Sequence, residues 1–213
     1  MLRRQTSGAA DEEEISMRLR LKITAAALLA GALLQATGSI ASDPRSAEML
    51  ARTCAGCHGT DGVSSGIANP SIAGLNGEYL NKAMDEFAKD TRPSTIMGRI
   101  ARGYSELEIK AIADYFAARP WVSSSASTKP ALVEKGRGLH ERSCATCHTD
   151  GGRGGPGATP RMAGQWPAYL YMQMRDMHDP GYLGPSPLLM RQLIQQLSDD
   201  DLHALAHYYA SQK

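Results

Sequence analysis

Cys54-Ala-Gly-Cys57-His58 and Cys144-Ala-Thr-Cys147-His148 hold all four cysteines of this 213-residue chain, each pair followed at once by a histidine. At that spacing two thiols can add across the two vinyl groups of a heme while the adjacent imidazole reaches the iron from the same face. A Cys-X-X-Cys pair alone would also suit a redox dithiol, and two such pairs could share one tetrahedral zinc. The immediate histidine in both clusters favours covalent heme instead, and no cysteine is left over for a disulfide framework. Two heme c groups are therefore expected, with His58 and His148 as the proximal iron ligands.

A shift of 90 positions superposes Cys54, Cys57 and His58 on Cys144, Cys147 and His148, and continues through Pro70-Ser-Ile-Ala-Gly74 onto Pro160-Arg-Met-Ala-Gly164 and Tyr79-Leu80 onto Tyr169-Leu170. Three inserted residues change the shift to 93, which aligns Met97 with Met190, Ser105 with Ser198 and Tyr115-Phe116 with Tyr208-Tyr209. The chain reads as a tandem duplication.

The duplication narrows the sixth ligand. Residues 43–119 contain no histidine besides His58, so a second imidazole is excluded there and the choice falls among Met49, Met84 and Met97. Met49 is too near Cys54 to wrap round a ring, and Met84 lies on an amphipathic stripe with Leu80 and Phe87, where core packing is the ordinary role. Met97 follows Pro93 in a loop. The second copy offers Met162, Met172, Met174, Met177 and Met190 besides His140, His178, His203 and His207, of which Met174 and Met190 have repeat partners. The repeat alone does not choose between Met84/Met174 and Met97/Met190, but the loop position favours Met97 and Met190. Histidine–methionine ligation raises a heme potential, and a six-coordinate iron transfers electrons without breaking bonds. The carbonyls of Pro70 and Pro160 are candidates to hold the ring N–H groups of His58 and His148.

These groups need helices to position them. Ser105-Glu-Leu-Glu108 is a capping box before Ile109, Ile112 and Phe116 on one face, and Ser198 with Asp201 repeats it before Leu202, Leu205 and Tyr209. No strand-like alternation occurs, so the fold class expected is all-α, two tandem small helical domains over 43–119 and 131–213. Residues 120–130, rich in Ser and Pro, read as a short linker that leaves the domains packed together. His203 and His207, one helical turn apart, lack the third ligand of a zinc site, and the Gly151–Gly157 run lacks the lysine ending of a phosphate loop. Arg99, Arg102, Arg153 and Arg161 are ordinary solvated charges that could also neutralise heme propionates.

Residues 1–41 stand apart. The basic Met17-Arg-Leu-Arg-Leu-Lys22, the apolar Ile23 to Leu34 and the small Ser39-Ile-Ala41 make a cleaved secretory signal peptide, with residues 1–16 a misassigned start. That implies a periplasmic mature chain with no membrane span. Its 18 basic and 18 acidic residues leave no nucleic-acid footprint.

Ala47-Glu-Met-Leu50, Cys54-Ala-Gly-Cys-His-Gly-Thr60, Pro70-Ser-Ile-Ala73 and above all Ser94-Thr-Ile-Met-Gly-Arg-Ile-Ala-Arg-Gly-Tyr104 carry a family likeness, extended by Met162-Ala-Gly-Gln-Trp166 and Leu205-Ala-His-Tyr-Tyr-Ala-Ser211. Over nearly the whole mature chain the sequence resembles the diheme cytochrome c subunit of flavocytochrome c sulfide dehydrogenase. The resemblance implies two cytochrome c domains and an axial role for Met97 and Met190. It also implies docking on a separate FAD-containing subunit that oxidises sulfide, and delivery of electrons to a soluble cytochrome c. This chain has no dinucleotide fingerprint, so FAD belongs to the partner. Where the family has a basic run before its second axial methionine, this chain has Gly181-Tyr-Leu-Gly-Pro-Ser-Pro-Leu-Leu189, a departure at the acceptor surface. An independent diheme carrier donating to a terminal oxidase uses the same fold, and a diheme peroxidase would need one displaceable iron ligand.

Overall fold

A computed structural model describes residues 45–213; the expected signal peptide lies outside the described residues. The described chain is helical, with no strand beyond an isolated bridge between Thr149 and Gly154. The first copy contains α1 (Ala47–Arg52), α2 (Ala55–His58), α3 (Gly77–Ala88), α4 (Met97–Ala101) and α5 (Glu106–Ala117). The second contains α6 (Pro130–Ser143), α7 (Thr149–Gly152), α8 (Pro167–His178), α9 (Leu188–Gln195) and α10 (Asp199–Ser211).

Local chemistry explains where these helices start. Asn76 accepts from the Tyr79 N–H to open α3, Pro130 and Pro167 begin α6 and α8 where a missing N–H is harmless, and both predicted capping boxes form at α5 and α10. Each copy closes its own core. Leu50, Leu75, Leu80, Ile112 and Phe116 form the first, and Leu170, Met174, Met177, Leu202, Leu205, Tyr208 and Tyr209 the second.

The duplication is visible bond by bond. The Gly62 carbonyl accepts from Ile72 and Ala73 at 2.8 and 3.1 Å, and the Gly152 carbonyl accepts from Met162 and Ala163 at 2.8 and 3.0 Å. The Gly74 N–H reaches the Phe116 carbonyl, and the Gly164 N–H the Tyr209 carbonyl, both at 2.8 Å. Gly74 and Gly164 have φ of 65° and 76°, left-handed values that glycine adopts at low cost.

Repeat-related residues also meet across the boundary. Trp166 Nε1 donates to the Ser64 carbonyl at 3.0 Å, and its partner position Asn76 donates back to the Gly157 carbonyl at 3.4 Å. Buried Gln165 ties the halves as well: its amide oxygen accepts from the Ser71 N–H at 3.0 Å and its amide N–H donates to the Ser71 carbonyl at 2.9 Å. The segment between α5 and α6 is not free: Trp121 packs on the first core, and the Ser124 N–H donates to the Gly164 carbonyl at 2.7 Å.

Candidate heme sites

Both cysteine clusters fold as one tight turn. The His58 N–H donates to the Cys54 carbonyl and the His148 N–H to the Cys144 carbonyl, each at 2.9 Å, which brings residues i, i+3 and i+4 to the same side. All four thiols are unpaired; Cys57 and Cys147 are exposed, Cys54 and Cys144 half-buried. Burial pushes the Cys54 and Cys144 thiols above their ordinary pKa, so they are held neutral.

His58 Nδ1 lies 2.8 Å from the Pro70 carbonyl. A carbonyl only accepts, so Nδ1 carries the proton and Nε2 keeps the lone pair that a metal needs. Burial lowers the His58 pKa against that hydrogen bond, favouring the neutral ring. The second copy departs from the expected symmetry: Pro160 does not receive the His148 proton, and His148 Nδ1 is buried without a partner. The backbone supplies the reason. His58 completes the helical turn α2, whereas His148 stands outside α7 at φ −105°, ψ 76°, so its ring leaves along a different direction. Burial lowers the His148 pKa as well.

Met97 opens α4 rather than lying in a loop, and Ser94 Oγ accepts from the Gly98 N–H at 2.9 Å beside it. Met190 is the third residue of α9 and packs partly buried against the second core. Met174, by contrast, is sealed in that core, while Met84 is half-buried on α3. Arg102 pairs with Asp90 at 2.5 Å, Arg153 donates to the Lys213 carbonyl at 2.6 Å, Arg161 lies over Trp121, and Arg99 is exposed. His203 stacks on Tyr171 and His207 accepts from the Lys129 N–H; no group of three metal-ligating side chains occurs among the described residues.

Two features escaped the sequence. Arg92, mostly buried, reaches Tyr79 Oη at 3.2 Å and Gln173 Oε1 at 3.4 Å across the boundary, with Glu86 its nearest carboxylate at 4.0 Å. Behind the second cysteine pair, buried His140 meets Tyr209.

The residues present fit heme c. Paired neutral thiols share one side of a turn, each histidine is neutral, and glycine keeps the turns open: a Cβ on Gly59 would meet the Val63 carbonyl oxygen at 1.9 Å, and one on Gly155 the Cys147 carbonyl oxygen at 2.0 Å. Fold and sites together define a tandem pair of small helical cytochrome c domains.

Comparison with known proteins agrees. The family described as Cytochrome c matches residues 45–118, and that described as Cytochrome C oxidase, cbb3-type, subunit III matches residues 131–208. A thiosulfate dehydrogenase electron acceptor of Stutzerimonas stutzeri is 31% identical over 175 residues, 78% of this chain and 81% of that one. The chain belongs to the diheme c-type cytochrome family and is an electron carrier with two heme c groups. The cytochrome subunit of sulfide dehydrogenase of Chlorobaculum tepidum is 52% identical over 69 residues, a match spanning 32% of this chain and 62% of that relative. Reduced recombinant cytochrome c4 from Pseudomonas stutzeri superposes with a TM-score of 0.68 at 25% identity, covering 78% of this chain and 98% of that one.

Proposed function

We propose that this chain is the periplasmic cytochrome subunit of a sulfide-oxidising complex, taking electrons from an FAD-containing partner and passing them to a soluble cytochrome c. The observation that carries this reading is the 52% identity to a cytochrome subunit of sulfide dehydrogenase, high for so small a helical domain. In this reading the two domains occupy 43–119 and 131–213. Cys54 and Cys57 anchor one heme and Cys144 and Cys147 the other, with His58/Met97 and His148/Met190 as the axial pairs. Bound heme c supplies a one-electron ferric–ferrous couple at each site. The chain's own part is to fix the imidazoles, exclude water with its two cores and hold the halves together through Gln165, Trp166 and Arg92. Export by residues 1–41 supplies the compartment, and among the described residues no helix is long and apolar enough to cross a membrane.

Isolation from the native source tests this. A stoichiometric FAD protein that reduces cytochrome c with sulfide supports the complex; a flavin-free diheme protein overturns it. The second outcome would favour an independent carrier, a reading supported by the matches to cytochrome c4 and to a thiosulfate dehydrogenase electron acceptor over most of the chain.

A further inference from the structure

Arg191 stands one residue after Met190 on α9 and is the only charged residue between Asp179 and Asp199. It is half-buried: Nη1 donates to the Tyr182 carbonyl at 3.2 Å, and Nε is buried without a partner. The other arginines of the second copy are engaged or solvated. Arg137 and Arg153 pair with carboxylates, Arg161 and Arg175 lie over aromatic rings, and Arg142 is exposed. Arg191 thus holds a charged donor out of water with no counter-ion among the described residues. A cation so placed is costly unless an anion meets it.

The first copy has no counterpart. At the offset of 93 positions Arg191 falls on Gly98, where a Cβ would stand 3.0 Å from Asp90 Oδ1 and 3.4 Å from the Phe87 carbonyl oxygen. The segment before Met97 also carries its own acid, Asp90, paired with Arg102. Residues 180–189, which lead to Met190, contain no acid. The negative charge that Arg191 requires is not supplied by the chain around it.

The chemistry of heme c offers a match, because a ring attached at Cys144 and Cys147 carries two propionate carboxylates. A guanidinium meets a carboxylate best along one edge, with two parallel N–H donors. With Nη1 on the Tyr182 carbonyl, that edge is the one formed by Nε and Nη2. We infer that Arg191 is a positioning residue that holds a propionate of the second heme. The same guanidinium then ties the Tyr182 loop and α9 to the edge of the ring, while Met190 ties α9 to the iron. The inference rests on heme being bound in the second half with Met190 as its axial ligand.

The test is proton NMR of the oxidised holoprotein, with the two hemes assigned separately and counted on the same sample. Arg191→Gln removes the charge and keeps an N–H donor, whereas Arg191→Lys keeps the charge. In Arg191→Gln the propionate methylene signals of the heme on Cys144 and Cys147 should shift and those of the other heme should stay. Arg191→Lys should restore most of that shift. Propionate signals at their native positions in Arg191→Gln overturn the inference and leave Arg191 a brace for the Tyr182 loop; a lysine variant shifted as far as the glutamine one overturns it too. A rise in melting temperature with added sulfate that needs Arg191, with the propionate signals unmoved, would assign a free anion there and also overturn it. Fewer than two hemes, or no methionine-to-iron charge-transfer band for the second, in the unaltered protein would instead overturn the heme reading beneath it.

Discussion

The two copies keep the same loop closures and diverge in what supports their cysteine turns. In the first copy the turn follows α1, six residues long and capped at Ser46. In the second the equivalent of Ser46 is Gly136, in the middle of the 14-residue α6, which lies directly on α10. The first copy ties its histidine to Pro70; the second leaves His148 Nδ1 untied and places a buried His140–Tyr209 pair nearby. Duplication thus preserved the attachment chemistry while the surrounding scaffold drifted, and two like sites acquired unlike environments.

The strongest way to break this comparison is at the sixth ligand. Met97→Ala and Met190→Ala should each open one iron to carbon monoxide and lower that heme's potential, leaving the other unchanged. A Met97 variant with unaltered carbon monoxide spectra would move the assignment to Met84.

Next in size is the helix crossing peculiar to the second copy. A Cβ at Gly136 would stand 2.2 Å from the Ala204 carbonyl oxygen, backbone that cannot swing away. Gly136→Ala should cost about 1–3 kcal/mol in denaturant unfolding despite alanine's better helix propensity. At the matching position of the first copy Ser46→Ala removes an N-cap bond to Met49, about 1 kcal/mol. Equal losses would mean that the helices support the copies alike.

The boundary comes third. Gln165→Ala strands the buried Ser71 N–H and carbonyl, a cost of about 1–3 kcal/mol, and should loosen the halves, read as earlier protease cleavage between α5 and α6. Unchanged cleavage would show that the two cores hold together without it.

The smallest effect is acid sensitivity. Lys135, then Ser198, hold the Asp201 carboxyl down at about 2. A depressed carboxylate stabilises the fold above its unfolded pKa of about 3.9, and that stabilisation fades as pH falls through the folded value. Asp201→Asn should therefore flatten the loss of stability between about pH 4 and 2. In the first copy Glu108 is also depressed, by the Ser105 N–H and then by Arg45. Its side chain is about as sheltered as that of Asp201, so Glu108→Gln should likewise flatten the acid loss in the first copy.

Much of this was legible in the chain before the fold. Capping boxes at Ser105 and Ser198, the repeat offsets and the helical class depend on local spacing, which sequence displays directly. The Cys-X-X-Cys-His turns are local too. What spacing does not display is the direction in which a ring leaves its backbone, so Pro160 was expected to mirror Pro70 and His148 does not reach it. Met97 was expected in a loop after Pro93, yet it opens the short helix α4, where Ser94 Oγ accepts from the Gly98 N–H. The contacts of Gln165 and Trp166 across the boundary, the mostly buried Arg92 and the His140–Tyr209 pair are long-range. The one available signal was the mismatch of His140 with Leu50 in an otherwise apolar register.

The central claim is that both halves carry covalent heme, and a proteolytic digest of the mature protein tests it most directly. Mass spectrometry should find one heme on the peptide containing Cys54 and Cys57 and one on the peptide containing Cys144 and Cys147. Either peptide recovered with free thiols, or bound to zinc, would contradict it.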